Sequence, residues 1–598
     1  MPSSSHSTME DTSVSDGSDN RTPLLLERRQ QLTDALAQSP YDLVLYIERA
    51  LVYSELAYPD LAAGDAYRAL LLTDEVRDED FEYHQQATEA LERYLSSPPP
   101  AILRHGNLSN GSWAAVDANG SNGSNGCNGC NGSNGSNGSN GSAPSGSQPL
   151  HELAALASTR CYKILSLSLL LIGCLRSACN FCTRGLAAAP GDKDLLETKG
   201  YIEKIARQRL GKPADAEINV NDLPDRGKVR REVYPWNTHD PDRFSDESLS
   251  RLNQQLQVIA PKCEVRVAAL PVLLDAESET DGYDIIPTCN QLGLFAKEDI
   301  APGEMVLKEY SLLTANNRLK ESTCDACGSE LPPLKAGSQA VSCEECHDTV
   351  FCDEYCYQQA MEFYHPAVCD KDIDSVARDP DPREIDESLY VLLLARLLAI
   401  SVQTDTHPLD VDHIKYIWGD FIPSRANDID LSPNAGPPPE WTLPFSFRYS
   451  IEMPLHILEK MDIDIYASLA NHDVWVFNTA YAKFRGTASS RQNPRDGRPD
   501  VAAVHPFWCL ANHDCNPNVT WEWGGRMEMW ARERRVVGDA PGGIRAGEEI
   551  LNHYCDINLP VQKRREWAAG ALGGWCMCRR CRDESGMSGK TDVEMEGA

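Results

Sequence analysis

Between residues 324 and 369, seven cysteines and a histidine fall in four close pairs: Cys324-x2-Cys327, Cys343-x2-Cys346, Cys352-x3-Cys356 and His365-x3-Cys369. Two residues three or four apart sit on one knuckle or one helix face, so each pair can reach a single ion. Core packing has no use for spacing this regular. Two tetrahedral zinc ions are expected, standing in for a core too small to hold alone. Cross-bracing would give Cys324, Cys327, Cys352 and Cys356 to one ion, and Cys343, Cys346, His365 and Cys369 to the other. His347 adjoins Cys346 but lies outside the pattern.

A second thiol set closes the chain. The segment "CMCRRC" provides Cys576, Cys578 and Cys581, three thiolates that need a fourth. Upstream, "NHDCNPN" (512–518) offers Cys515. A surface turn would explain its asparagines and proline, but not the Asn512-His513 pair placed directly after the apolar "HPFWCLA". A lone C-x-C-x2-C is ambiguous. With "NHDCNPN" before it and "GEEILNHYCD" (547–556) between them, the order is specific. A third zinc ion is expected where the two segments meet.

Cysteine usage also bears on compartment. The start, "MPSSSHSTMEDTSVSDGSDN", lacks a basic-then-apolar signal and reads as a disordered tail. Without a secretion signal, 21 cysteines point to metal in a reducing compartment, nucleus and/or cytoplasm. The apolar run "ILSLSLLLIGCL" (164–175) is too short for a membrane span and is expected to be a buried helix. With 89 acidic and 56 basic residues the formal charge is −33, which disfavours nonspecific duplex binding and favours basic partners such as lysine-rich tails. The short basic runs "KVRR" (228–231) and "QKRRE" (562–566) read as solvated faces.

The chain divides by pattern into an α+β multidomain protein. After the tail (1–23), residues 24–95 read as helices. Tyr46, Ala50, Tyr53, Ala62, Ala66 and Ala69 there carry the large/small spacing of a tetratricopeptide helix pair. A Gly/Ser/Asn-rich linker (96–150) is too polar to pack. Residues 151–210 repeat the spacing through Tyr162, Leu165, Ser166, Leu169, Ala178, Cys182 and Pro190; a plain helical bundle is the simpler alternative. A second linker (211–262) precedes short β-type runs punctuated by Gly and Pro over 263–582, and a polar tail (583–598) follows.

The ordered motifs over 263–582 resemble the SET-domain lysine methyltransferases, in particular the SET-and-MYND branch with a tetratricopeptide-like N-terminus. The resemblance implies a β-rich SET domain carrying a MYND-type zinc finger insert (324–369), a helical insert and a post-SET zinc site (557–582). It implies S-adenosylmethionine as cofactor, contacted by Leu292, Gly293, Leu294, Asn478, Asn512, His513, Tyr554 and Trp575, and a catalytic role for Tyr554. It implies Cys515, Cys576, Cys578 and Cys581 as the post-SET zinc ligands, giving three zinc ions in all. The partners implied are a lysine-bearing protein, proline-containing peptides at the finger and proteins at the helical repeats. Two positions depart from the family pattern. Gln291 in "NQLGLF" stands where the family has the first glycine of Gly-x-Gly. Gly574 stands where it has an adenine-stacking aromatic, with Trp575 one place later.

Methyl transfer from a sulfonium needs positioning and no activated enzyme nucleophile. The acceptor lysine must be neutral, which a narrow apolar channel favours against a free pKa of about 10.4. A buried tyrosine oxygen can aim the amine. The competing expectation is a non-catalytic adaptor built on the helices and the finger, favoured by Gln291 and Gly574. Intact Asn512, His513 and Tyr554 favour the enzyme.

Overall fold

The computed structural model describes residues 21–95, 100–103, 147–271, 288–317, 322–332, 338–373, 375, 385–419, 442–492, 497, 499–538, 540–572 and 574–586. Most of the first tail and of the 96–150 linker, and the last twelve residues of the 583–598 tail, lie outside them. Among the described residues the chain forms two compact units, one running to Val229 and including Pro444–Phe447, the other holding the remainder from Arg230.

The first unit is helical: α1 Arg21–Gln38, α2 Leu43–Glu55, α3 Pro59–Arg77, α4 His84–Glu92, α5 Ser147–Ile172, α6 Leu175–Ala188 and α7 Lys193–Arg209. Asp42 caps α2 by accepting from Val44 N and Leu45 N, and Pro59 opens α3, where its missing N–H costs nothing. α2 packs on α3, α3 on α5, and α5 on α6. Tyr46, Ala50, Tyr53, Ala62, Ala66 and Ala69 are all buried in the first hairpin, and Leu165, Leu169, Ala178 and Cys182 in the second. Small residues facing large ones let the helix axes approach closely. α5 is long and apolar enough to span a membrane by length and composition alone; within this unit it lies between α3 and α6. Inside the first hairpin, Arg49 donates to both carboxylate oxygens of Asp65, each at 2.7 Å, with both side chains buried. Removing one partner of such a pair would cost about 3–5 kcal/mol.

The second unit is built on short antiparallel strands. Cys263–Pro271 pairs with Thr288–Ala296, with Cys263 opposite Ala296. A three-stranded sheet orders Val519–Trp523, Met527–Ala531 and Met305–Glu309, its first hairpin turning at Gly525 (φ 97°). Another orders Thr314–Asn316, Pro499–Val504 and Ala488–Gln492. Val265, Leu292, Leu294, Val306, Leu307, Met527, Met529 and Ile550 share one core. The segment expected to be a linker over 211–262 ends in a helix, Asp246–Ile259, capped by Ser245 and started by two acidic residues. Leu252 and Leu256 on that helix enter the same core. Its apolar spacing was readable; a proline- and aspartate-rich approach hid it.

The cysteine-rich segment forms a small ladder (Val341–Ser342 with Val350–Phe351) and two helices, Glu354–Phe363 and His365–Val368. Arg396, on the buried helix Ile385–Gln403, anchors it. Its guanidinium lies 3.6 Å from the Tyr364 ring centroid and donates to Asp325 O and Leu312 O, while Tyr364 Oη donates to Asp325 Oδ2 at 2.7 Å.

Near the C-terminus, the stretch after Gly547 runs beside 511–518. Asn552 N donates to Asn512 O (2.7 Å), Asp514 N to Asn552 O (2.8 Å) and Asn518 N to Leu551 O (3.1 Å). The Asn518 side chain, fully buried, bonds Leu551 N and Glu549 O at 2.7 Å each. Asparagine supplies a donor and an acceptor on one short side chain, which suits two backbones crossing without a regular ladder.

Candidate functional site

A cavity of about 600 Å³ opens in the second unit, within the usual size of a ligand or cofactor site. Five segments supply most of its lining. Gln291 and Leu292 come from the strand Thr288–Ala296, Tyr416, Ile417 and Trp418 from the stretch after the helix Asp412–Lys415, and Cys509 to Asp514 (except Ala511) from the "NHDCNPN" region. Glu549, Leu551 and Tyr554 come from the crossing stretch, and Cys576, Met577, Cys578, Arg579 and Arg582 from the C-terminal thiol segment.

Asn512 ties three of these together. Its Nδ2 donates to Leu292 O (3.1 Å) and to Glu549 Oε1 (2.8 Å). This close approach explains Gly293, where a Cβ would lie 2.7 Å from Glu549 Oε1 and 3.0 Å from Asn512 Nδ2. Burial raises the Glu549 and Asp514 carboxyls above their ordinary values. Cys509 is a neutral wall, its thiol pushed up to about 12 by burial.

Tyr554 is held at both ends. Its N–H donates to His513 Nδ1 at 3.0 Å, and its Oη donates to Ala511 O at 2.9 Å. Since the hydroxyl proton is committed to a carbonyl, the oxygen lone pairs are left to act as acceptors. Behind the site, Glu309 accepts from Phe507 N (3.0 Å) and Trp508 N (2.8 Å), clamping the chain that leads into "NHDCNPN". Its burial pushes the carboxyl up to about 7.

Not every residue expected at the site reaches it. Leu292, Asn512, His513 and Tyr554 line the cavity; Gly293 lies beside it, and Leu294 is wholly in the core. Asn478, on the helix Val474–Thr487, is buried with Nδ2 3.4 Å from Tyr234 Oη, and that helix gives the cavity Gly486 and Thr487 instead. Trp575 is half-buried under the Arg565 guanidinium, 5.2 Å away, and is not among the lining residues; Met577 and Arg582 are.

The thiol sets assemble as three groups, each with ligand atoms within 4.8 Å of one another: Cys324, Cys327, Cys352 and Cys356; Cys343, Cys346, His365 and Cys369; and Cys515, Cys576, Cys578 and Cys581. Tetrahedral Zn–S bonds of 2.3 Å put sulfurs roughly 3.8 Å apart. Cys327 and Cys352 are 3.9 Å apart, Cys343 and Cys369 3.8 Å, Cys515 and Cys576 4.0 Å, and Cys515 and Cys581 3.4 Å. The donor sets fit zinc. His239, His407 and Asp410 also cluster, but the two rings stack 3.7 Å apart and 6° from parallel. Their in-plane lone pairs run side by side and do not converge on an ion.

The third group has a cationic brace that the sequence reading missed. Arg564 and Arg565, expected on a solvated face, are 1% and 2% exposed. Arg564 donates to Leu559 O, Glu584 and Cys581 Sγ, and Arg565 to Cys576 O and Cys581 O. Arg580 reaches Cys515 O at 2.7 Å. Arginine can be buried here because carbonyls, a carboxylate and a cysteine sulfur accept from its guanidinium. Arg230, in the other basic run, is likewise buried against Glu232 at 3.1 Å.

Comparison with known proteins agrees with this geometry. Residues 291–555 match the SET domain family, so the second unit carries a SET domain. Over 73 residues the chain is 36% identical to the histone-lysine N-methyltransferase set5 of Schizosaccharomyces pombe. That match covers 12% of this chain and 21% of the relative, about a fifth of its length.

Proposed function

We propose that this protein is an S-adenosylmethionine-dependent protein-lysine N-methyltransferase. The observation that carries the reading is Tyr554, pinned by Ala511 O and His513 Nδ1 in the wall of a cavity it shares with Asn512. S-adenosylmethionine supplies, when bound, a sulfonium methyl open to in-line displacement. The Leu292–Gly293 backbone and Asn512, drawn together around Glu549, are the residues that would hold it. Tyr416, Trp418, Cys509 and Leu510 give the wall an apolar part, which favours the neutral form of an entering lysine amine. Tyr554 Oη, its own proton on Ala511 O, accepts from that amine and turns its lone pair toward the methyl group. The Schizosaccharomyces pombe relative is by name a histone-lysine enzyme; here the substrate is a lysine-bearing protein, histone or not.

The further assignments belong to the same reading. Residues 324–369 are a MYND-type finger holding two zinc ions and serving proline-containing peptides, and the Cys515 group holds a third ion. The helical unit is tetratricopeptide-like and receives protein partners; the protein works in the nucleus and/or cytoplasm. An adaptor without chemistry is the second reading, favoured by Gln291 and Gly574 and by Asn478 turned toward Tyr234. Calorimetric titration with S-adenosylmethionine separates the two. Saturable binding that Asn512→Ala weakens is expected; no heat with either form would leave the adaptor.

A further inference from the structure

We infer that His513 is a positioning residue that couples the Cys515 thiol cluster to Tyr554, gripping the tyrosine backbone with one ring nitrogen and the Cys515 sulfur with the other. The inference rests on the proposed reading of that cluster as a metal site and of Tyr554 as the catalytic residue.

The ring partners fix its tautomer. Tyr554 N–H is a donor 3.0 Å from His513 Nδ1, so Nδ1 must offer a lone pair. The ring hydrogen then sits on Nε2, which lies 3.4 Å from Cys515 Sγ, within reach of an N–H···S contact. A single imidazole thus bridges Cys515, two residues along the chain, and a backbone amide 41 residues away. The arrangement is reinforced on both sides. His513 forms a parallel bridge with Asn552, and its ring packs 5.2 Å from the Tyr554 ring at 40°.

Two consequences follow. An N–H donor on a thiolate sulfur orients it and tempers its charge, the role outer-shell partners play at metal sites. In the other direction, where the sulfur stands decides where His513 Nδ1 stands, and so how firmly the Tyr554 backbone is held. The third metal site is then part of how the tyrosine is aimed, beyond joining two chain segments.

Two substitutions divide the ring's work. His513→Asn puts an oxygen near the Nδ1 position, keeping the acceptor for Tyr554 N–H and losing the donor to sulfur. His513→Gln puts an amide nitrogen near the Nε2 position, keeping the donor and losing the acceptor. Neither readout needs activity. The sulfur side is read by the thiolate-to-metal charge-transfer band of the cobalt(II)-substituted protein and by zinc release to a chelator. The tyrosine side is read by hydrogen exchange of the Tyr554 amide in the full chain. The expected pattern is crossed. His513→Asn shifts the band and speeds release of one ion roughly tenfold, with exchange at Tyr554 near wild type. His513→Gln keeps band and release and speeds exchange at Tyr554 roughly fivefold or more. The coupling itself is read by stripping the ion with the chelator: exchange at Tyr554 should rise roughly fivefold in the wild type and little in His513→Asn, which has already lost its link to the sulfur. Exchange that rises equally in both, or His513→Asn leaving release unchanged, would overturn the coupling. Absence of methyl transfer in the wild type would count against the proposed activity and leaves these two readouts to decide the coupling.

Discussion

The thiol groups at 324–369 and the group formed by Cys515 with Cys576, Cys578 and Cys581 use the same chemistry for different ends. In the first segment every ligand pair is local, and the surrounding structure is a two-residue ladder and two short helices. On the proposed reading, metal there replaces a core. The last group joins residues 61 to 66 positions apart, three buried or half-buried arginines brace it, and its Cys578 and Cys576 line the same cavity as Tyr554. Metal there, on the same reading, closes a site. Local ligand spacing marks stability, whereas a ligand set that spans the chain marks what the chain has been folded to bring together.

The contrast can be broken by removing one ligand from each. Cys581→Ser should take one zinc from three and lower turnover roughly a hundredfold or more, because the cavity wall and the His513 contact both depend on that group. Elemental analysis with a methyl-transfer assay reads both; two ions in the folded wild type would already undo the link between "NHDCNPN" and "CMCRRC".

Glu309 sharpens the comparison through pH, since it clamps the entry to "NHDCNPN" and touches no finger residue in its hydrogen bonding. Its folded-state value of about 7 lies above the ordinary 4.5, so the folded protein holds this proton more tightly than the unfolded chain does. The stability it contributes is full below pH 4.5 and is lost as pH rises to about 7. Relative to Glu309→Gln, the wild type should lose about 2–3 kcal/mol between those limits. Urea melts of both proteins at pH 5 and pH 8 measure the difference; parallel curves would mean the carboxyl is not buried as described.

Cys343→Ser should also cost one zinc, yet change turnover by less than about threefold, because none of the four residues of its group lines the cavity of the proposed active site. A loss as large as that of Cys581→Ser would erase the distinction. Smallest of all, removing most of residues 106–148 should shift stability by under about 1 kcal/mol, since closure entropy grows only with the logarithm of loop length. A large fall in melting temperature would contradict the linker reading.

How much of this was readable from sequence follows the same division. Ligand spacing is printed in the chain, so all three thiol groups could be assembled on paper, Cys515 by order of motifs. Buried charge is not printed. Arg564 and Arg565 read as surface residues because charged side chains are rarely buried unless partners meet them, and the run itself does not show the carbonyls and sulfur that meet them. Glu309 carries no signal in the sequence, since the amides it accepts from lie 198 and 199 residues along the chain. Asn478 is a different case: the resemblance implies a cofactor contact, whereas in the structure its side chain is buried with Nδ2 3.4 Å from Tyr234 Oη, a partner 244 residues away that spacing does not reveal. The helix Asp246–Ile259 was missed for composition upstream of it, although its cap and apolar spacing were both present.

The central claim is that Tyr554 Oη aims the acceptor amine. Tyr554→Phe keeps the ring and its packing on His513 and deletes only the hydroxyl that bonds Ala511 O. Methyl transfer from labelled S-adenosylmethionine to lysine-rich protein, with cofactor binding measured in parallel, tests it directly. The account predicts turnover lower by on the order of a hundredfold or more with cofactor affinity little changed. Transfer at the wild-type rate in Tyr554→Phe would contradict it.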